Sequence, residues 1–206
     1  MISGLYAITP DEVNTNNLLA KVEATLQGGA TILQYRNKIV NQQLKTQQAK
    51  AIQQLCKQYN VPFIINDSVH LCMLLDADGV HIGSEDGNLS EIRVRLGPDK
   101  ILGASCYNRI ELALAAQQAS VNYVAFGACF ESNTKPQASL ANINLFKQAQ
   151  LQLNIPVVAI GGITLKNAHL IIDAGANAIA VINAIFSQDD VKSATQQFTK
   201  LFRAKS

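Results

Sequence analysis

Short apolar runs alternate with amphipathic stretches along this chain, and the alternation predicts a strand followed by a helix again and again. Ile2 to Ile8 is mostly apolar and stops at Thr9-Pro10, where proline cannot donate to a sheet ladder. Leu18, Leu19, Val22 and Leu26 then recur at helical spacing, and Gly28-Gly29 supplies the stop. Thr31-Ile32-Leu33 reads as the next strand and Ile52, Leu55, Cys56 and Tyr59 as the next buried helical stripe. Pro62 to Ile65 and Gly79 to Ile82 are two further strands, each followed by a helical stripe, Leu71, Leu74 and Leu75 after the first and Leu89, Ile92 and Leu96 after the second.

The second half repeats the scheme. Ile101 to Ala104 precedes an alanine-rich helix from about Arg109 to Ala119, and Tyr123 to Phe126 is the sixth strand. From Gly127 to Leu140 periodicity is lost, so this segment reads as a long functional loop, with a helix through Leu145 and Leu151 after it. Pro156 to Ile160 is the seventh strand, Thr164 is placed to cap a helix that stops at Gly175, Ala178 to Ile182 is the eighth strand, and Val191, Ala194, Phe198, Leu201 and Phe202 mark the last helix. Eight such units in 206 residues predict an α/β fold, a single (β/α)8 TIM barrel spanning residues 1–206. An open doubly wound sheet competes, but its Gly-x-Gly-x-x-Gly turn after the first strand is absent.

In a parallel barrel all strand C-termini share one rim, so polar groups that close these strands can meet in one pocket although they are distant in sequence. Those groups are Gln34-Tyr35-Arg36-Asn37-Lys38, Asn66-Asp67, Ser84-Glu85-Asp86, Ser105, Ser132-Asn133-Thr134-Lys135 and Gly161-Gly162. Composition narrows what the pocket serves. A hydrophobic share of 48% with 16% charged residues describes a packed protein, and a formal charge of +2 without a basic cluster argues against nucleic-acid binding. No apolar run is long enough to span a bilayer, and the N-terminus lacks the basic start and cleavage site of a signal peptide. Cys56, Cys72, Cys106 and Cys129 are far apart and read as reduced, buried thiols of a cytoplasmic protein.

Gln34, Arg36 and Lys38 alternate along an extended segment, which turns them to one face where a diphosphate could take charge-assisted hydrogen bonds; a solvated strand end would look the same. Asp67 and Asp86 close consecutive strands and together suit Mg2+, although an aspartate after a barrel strand also serves as a helix cap and Glu85 could replace Asp86. Gly161-Gly162 with Ile182-Asn183 is where barrels commonly seat a phosphate on backbone N–H groups. Ser105 and the Ser132 to Lys135 cluster offer hydroxyls and a cation, or ordinary turn chemistry. His70, His81 and His169 are isolated and are assigned to structure or to contacts behind the site.

Taken in order, these motifs resemble the thiamine phosphate synthase family over nearly the whole chain. Gly4 to Thr9 matches the family's Gly-Leu-Tyr-Ala-Ile-Thr, Gln34, Arg36 and Lys38 its Gln-x-Arg-x-Lys, and Asn66-Asp67 its Asn-Asp. Asp78 to Asp86 matches its Asp-Gly-Val-His-x-Gly-x-x-Asp, Thr134-Lys135 the Thr-Lys of its mobile loop, and Ala159 to Ile163 its Ala-Ile-Gly-Gly-Ile. The resemblance implies a Mg2+-dependent transferase that joins hydroxymethylpyrimidine diphosphate to a thiazole phosphate. By the same resemblance the pyrimidine diphosphate falls to Gln34 through Lys38 (Tyr35 and Asn37 included), Asn66, Ser105 and Lys135, with Arg36, Lys38, Lys135 and Ser105 in catalytic roles. Asp67 and Asp86 would hold the metal, and Ser132, Asn133, Thr134, Gly162, Ile182 and Asn183 the thiazole phosphate. The loop from Ser132 to Leu140 is expected to close over the pocket.

Four positions depart from the family pattern: Ser132 for threonine, Asn183 for serine, Tyr107 for histidine and Ser84 for glutamine. A thiazole tautomerase on the same barrel, or a phosphate-ligand-binding protein with an impaired active site, are the competing readings. The partners implied are small molecules, with neither nucleic acid nor membrane, and a homo-oligomer is left open.

Overall fold

Strands of four to seven residues cannot stand alone, because their edges carry unpaired backbone groups. Here the edges are abolished by closure. The computed structural model describes residues 2–83, 86–131 and 142–203. Its strands β1 (Gly4–Ile8), β2 (Ile32–Tyr35), β3 (Phe63–Asn66), β4 (Gly79–Ile82), β5 (Ile101–Tyr107), β6 (Tyr123–Phe126), β7 (Val157–Ile160) and β8 (Ala178–Val181) pair in parallel and in sequence order into a closed barrel. The seam is β1 on β8, from Gly4 opposite Ala178 to Ala7 opposite Val181.

Helices α1 (Thr15–Gln27), α2 (Gln42–Gln58), α3 (Val69–Leu75), α4 (Leu89–Leu96), α5 (Ile110–Gln118), α6 (Ile143–Gln152), α7 (Ala168–Asp173), α8 (Asn183–Phe186) and α9 (Val191–Arg203) follow the strands. Several start on a side chain that accepts from a first-turn N–H: Asn14, Asn41, Ser68, Asn88 and Asn142. No helix among the described residues is long and apolar enough to cross a membrane.

Alternation along each strand sorts residues between two cores. Leu5, Leu33, Phe63, Ile65, Val80, Leu102, Val124, Phe126 and Ile179 belong to the core between sheet and helices. Tyr6, Ile8, Ile32, Ile64, Tyr123, Val158, Ala178 and Ala180 fill the barrel itself. Two tyrosines fit inside because small residues face them. A Cβ added to Gly103 would lie 2.0 Å from the Tyr123 ring. All four cysteines are buried, and burial pushes the thiols up, to about 12 for Cys56, Cys106 and Cys129 and about 11 for Cys72, which makes them inert packing groups.

The boundaries differ from the hydrophobic pattern where polar residues join a strand. β2 runs on through Gln34 and Tyr35, and β5 continues past Ala104 to Tyr107, with Ser105 opposite Ala125 and a bulge before Tyr107 meets Phe126. Ladder hydrogen bonds do not depend on side-chain polarity, so apolar runs mark these strands too short. Thr164 does not cap α7. It opens a turn in which Asn167 Oδ1 accepts from the Thr164 N–H (2.8 Å), and the helix begins at Ala168. Helix α8, four residues long, had no periodic signal. In α6, Leu145 is buried but Leu151 is exposed.

Candidate active site

The rim at the strand C-termini opens into a cavity of about 1320 Å³. Gln34, Arg36, Lys38, Asn66, Asp67, Asp86, Ser105, Gly162, Ile182 and Asn183 all line it. Backbone pairing explains the gathering: β2, β3, β4 and β5 are neighbours, so residues that end them stand side by side. Tyr35 and Asn37 turn the other way. Strand alternation sends the Tyr35 hydroxyl to Gln48 Oε1 (2.9 Å) on α2, while Asn37 Nδ2 donates to Glu12 O (2.7 Å) and to the same Gln48 oxygen (3.0 Å). These two therefore hold the segment from behind. Ser84, Glu85, Ser132, Asn133, Thr134 and Lys135 lie outside the described residues.

The segment from Arg36 to Lys38 is braced from β1's end. Thr9 Oγ1 accepts from the Arg36 N–H (2.9 Å) and donates to Arg36 O (2.8 Å), and Asp11 Oδ1 accepts from the Lys38 N–H (2.6 Å). Asp11 also takes Arg36 Nη1, 3.2 Å from each of its oxygens, which leaves the rest of the guanidinium fork toward the cavity. In the sequence Thr9 reads only as a strand stop and the end of a family motif, and Asp11 does not stand out. The signal lay in a proline-stopped strand whose polar tail continues toward the neighbouring segment.

Asp67 follows β3 with a left-handed φ of 61°, a conformation aspartate tolerates better than most residues, and its N–H donates to His81 O (2.9 Å). Asp86 Oδ2 accepts from the Gly83 N–H (2.9 Å). Burial and then the Asp86 carboxylate raise the Asp67 carboxyl above its ordinary range; Lys38, with Nζ 3.7 Å from Asp67 Oδ2, offsets this only in part because its ammonium is largely hydrated. Two carboxyl groups set against each other at a polar rim fit a hard divalent ion that completes its shell with water and ligand oxygens. Asp67 and Asp86 are the residues that could hold it.

Across the mouth, Gly161 and Gly162 take φ values of 101° and 63°, and a Cβ on Gly162 would sit 2.6 Å from Phe130 O. Only glycine fits that turn without strain. Ile182 and Asn183 start α8, and with Gly161 and Gly162 they line the cavity. Tyr107, with φ 51°, also lines the cavity.

Behind Gln34 and Ser105 runs a buried polar chain that sequence reading did not anticipate. Gln34 Nε2 donates to the Tyr6 hydroxyl (2.9 Å), Tyr6 and Tyr123 hydroxyls are 2.7 Å apart, Tyr123 reaches His81 Nδ1 (2.9 Å), and His81 Nε2 reaches Ser105 Oγ (2.9 Å). Burial pushes His81 down to about 4, against a smaller opposing pull from Asp86, so the imidazole is neutral. Burial likewise raises both phenols. His70 and His169 are exposed on α3 and α7, whereas His81, by strand alternation, points inward. Tyrosines at inward positions of otherwise aliphatic strands were the available clue.

Enzymes of the (β/α)8 class carry out their chemistry at this rim, and both the fold and the cavity place the chain in that class. A family model described as thiamine monophosphate synthase matches residues 5–185. The thiamine-phosphate synthase of Methylobacillus flagellatus is 54% identical over 201 residues, covering 98% of this chain and 96% of its own. That of Nitrosospira multiformis is 46% identical over 205 residues, covering 100% and 88%. Among solved structures, thiamine phosphate pyrophosphorylase from Pyrococcus furiosus superposes with a TM-score of 0.88 at 32% identity, covering 98% of this chain and 96% of that one. The chain belongs to the thiamine-phosphate synthase family.

Proposed function

We propose that the protein is a cytoplasmic transferase that condenses hydroxymethylpyrimidine diphosphate with hydroxyethylthiazole phosphate, giving thiamine phosphate and pyrophosphate, with Mg2+ as its cofactor. The observation that carries this reading is the convergence of Gln34, Arg36, Lys38, Asp67, Asp86 and Ser105 on one cavity, with Lys38 and Asp67 in contact. In the reaction the bond from the pyrimidine's methylene carbon to oxygen breaks and pyrophosphate departs with the electron pair. The thiazole nitrogen then supplies its lone pair to the same carbon. No proton need move to or from the protein, which agrees with a neutral, hydrogen-bonded His81 rather than a poised base.

Arg36 and Lys38 supply positive charge where it accumulates on the leaving group, and Lys135 adds to them by resemblance. Ser105 and Asn66 would offer further polar contacts to the diphosphate, and the buried Gln34 is assigned the pyrimidine ring. Mg2+ held by Asp67 and Asp86 would neutralise the departing pyrophosphate. Gly162, Ile182 and Asn183 are assigned the thiazole phosphate, with Ser132, Asn133 and Thr134 contributing by resemblance. A tautomerase would need no diphosphate side, so the cationic and acidic half of this rim weighs against it. The test is to incubate the folded protein with both substrates and MgCl2 and assay thiamine phosphate. Absence of product counts against the synthase, and binding without turnover favours a mere phosphate-ligand binder.

A further inference from the structure

Each inner member of the buried chain, Tyr6, Tyr123 and His81, has one hydrogen-bonding partner on each side, and that constrains the protons from Gln34 to Ser105. With Gln34 Nε2 donating to Tyr6, the Tyr6 proton has only the Tyr123 oxygen to go to, and the Tyr123 proton only His81 Nδ1. A neutral imidazole that accepts at Nδ1 carries its proton at Nε2, so His81 donates to Ser105 Oγ. The serine proton is thereby released toward the cavity, while Gln34 keeps its carbonyl oxygen for the cavity. Reversing every bond is the one other defect-free order. It needs the Gln34 amide turned over, and it leaves Gln34 a donor and Ser105 an acceptor. A mixed order would leave a hydroxyl proton without an acceptor or set two lone pairs against each other in a buried site.

We infer that Tyr6, Tyr123 and His81 are positioning residues that force Gln34 and Ser105 to present opposite hydrogen-bond polarity to a bound ligand. This rests on the proposed substrate and deepens it. A diphosphate oxygen accepts only, so contact with it selects the order in which Ser105 donates. The same order turns the Gln34 carbonyl to the cavity, where it matches the amino group of an aminopyrimidine and opposes an oxo group in its place. Recognition of the leaving group and of the ring is thus linked through the barrel core, without any of the three linking residues contacting both.

The test compares calorimetric affinities, with Mg2+, for hydroxymethylpyrimidine diphosphate and for its counterpart bearing oxo in place of amino. Wild type is expected to prefer the amino compound at least about tenfold, on the scale of one mismatched buried hydrogen bond. Tyr123→Phe breaks the chain, lets the amide turn independently, and should cut that preference at least about fivefold while affinity for inorganic pyrophosphate stays within about threefold. A wild-type ratio near one, or an unchanged ratio in the variant, overturns the inference. The second measurement uses wild type alone, so the folding of the variant does not matter: 15N NMR of the imidazole in the complex with Mg2+ and inorganic pyrophosphate should show His81 protonated at Nε2. Protonation at Nδ1 in that complex overturns the inference. If wild type fails to bind the pyrimidine diphosphate, the substrate reading falls, and the tautomer in the pyrophosphate complex still decides the chain.

Discussion

Consecutive residues of one strand in this protein live in different surroundings. On β4, Val80 packs among apolar side chains between sheet and helices, while its neighbour His81 is wired to Tyr123 and Ser105 inside the barrel. On β6 the same contrast separates Phe126, edge-on to Phe146 of α6 at 5.7 Å, from Tyr123. The outward face needs shape and apolar area, which many side chains can supply. The inward face needs a particular order of donors and acceptors, because a lost partner there leaves a buried polar group without compensation. Stability and chemistry are thus divided between the two faces of each strand, and mutations should separate them.

The largest effect is expected on the outward face. Phe146→Ala empties a buried position beside Phe126 and should cost about 3–5 kcal/mol in urea unfolding, while kcat of the remaining folded enzyme is unchanged. Next comes the inward face under acid. His81 is held near 4 against 6.5 for a free histidine, so its contribution to stability is fully present above pH 6.5. As pH falls from 6.5 toward 4 the unfolded chain takes up a proton that the folded one refuses, and stability is lost. Between pH 7.5 and 4.5 wild type should lose about 2–3 kcal/mol more than His81→Gln. Parallel losses in the two proteins would show that His81 is not held neutral by the fold.

The same division explains what could be read from the chain. Outward residues such as Val80, Leu102 and Val124 are apolar, so the eight units, their order and the barrel stood out from periodicity. Rim residues such as Arg36 and Asp67 stood out because polar groups that close parallel strands share one rim of a barrel. The inward chain did not stand out. Tyr6 and Tyr123 read as apolar strand residues, and pairing of residues 117 positions apart depends on barrel closure, which no local pattern encodes. Gln34 and Ser105 were expected at the pocket, but as separate ligands. Asp11 was missed for a similar reason: its role is a contact with Arg36, 25 positions away.

Asp67→Asn probes the proposed metal side of the rim and should act on activity alone. Asparagine tolerates the left-handed backbone at this position and removes the charge that burial and Asp86 oppose. Turnover should fall at least about tenfold, as for loss of one charge-stabilising group, with no loss of stability in metal-free buffer. Mg2+ at ten times its dissociation constant should stabilise wild type by about 1.4 kcal/mol in thermal unfolding and leave the variant unmoved. Near-normal turnover, or equal Mg2+ stabilisation of both proteins, would remove Asp67 from the metal site.

The smallest effect is expected at Asp11, where two influences on Arg36 oppose each other. The aspartate orients the guanidinium and the Lys38 backbone, yet its charge competes with an anionic ligand for the same arginine. Asp11→Asn keeps one acceptor oxygen, in the place of the Oδ1 that serves both the Lys38 N–H and Arg36 Nη1, while removing the competing charge. Because the pair is partly exposed, the gain is limited to the range of surface ion pairs, below about 1 kcal/mol, so KM for the pyrimidine diphosphate should fall about twofold to threefold with kcat unchanged. Asp11→Ala removes the brace as well, and KM should rise instead. Steady-state kinetics of the two variants side by side decide the matter: a shift in the same direction for both would mean that orientation and competition are not separate roles of this side chain.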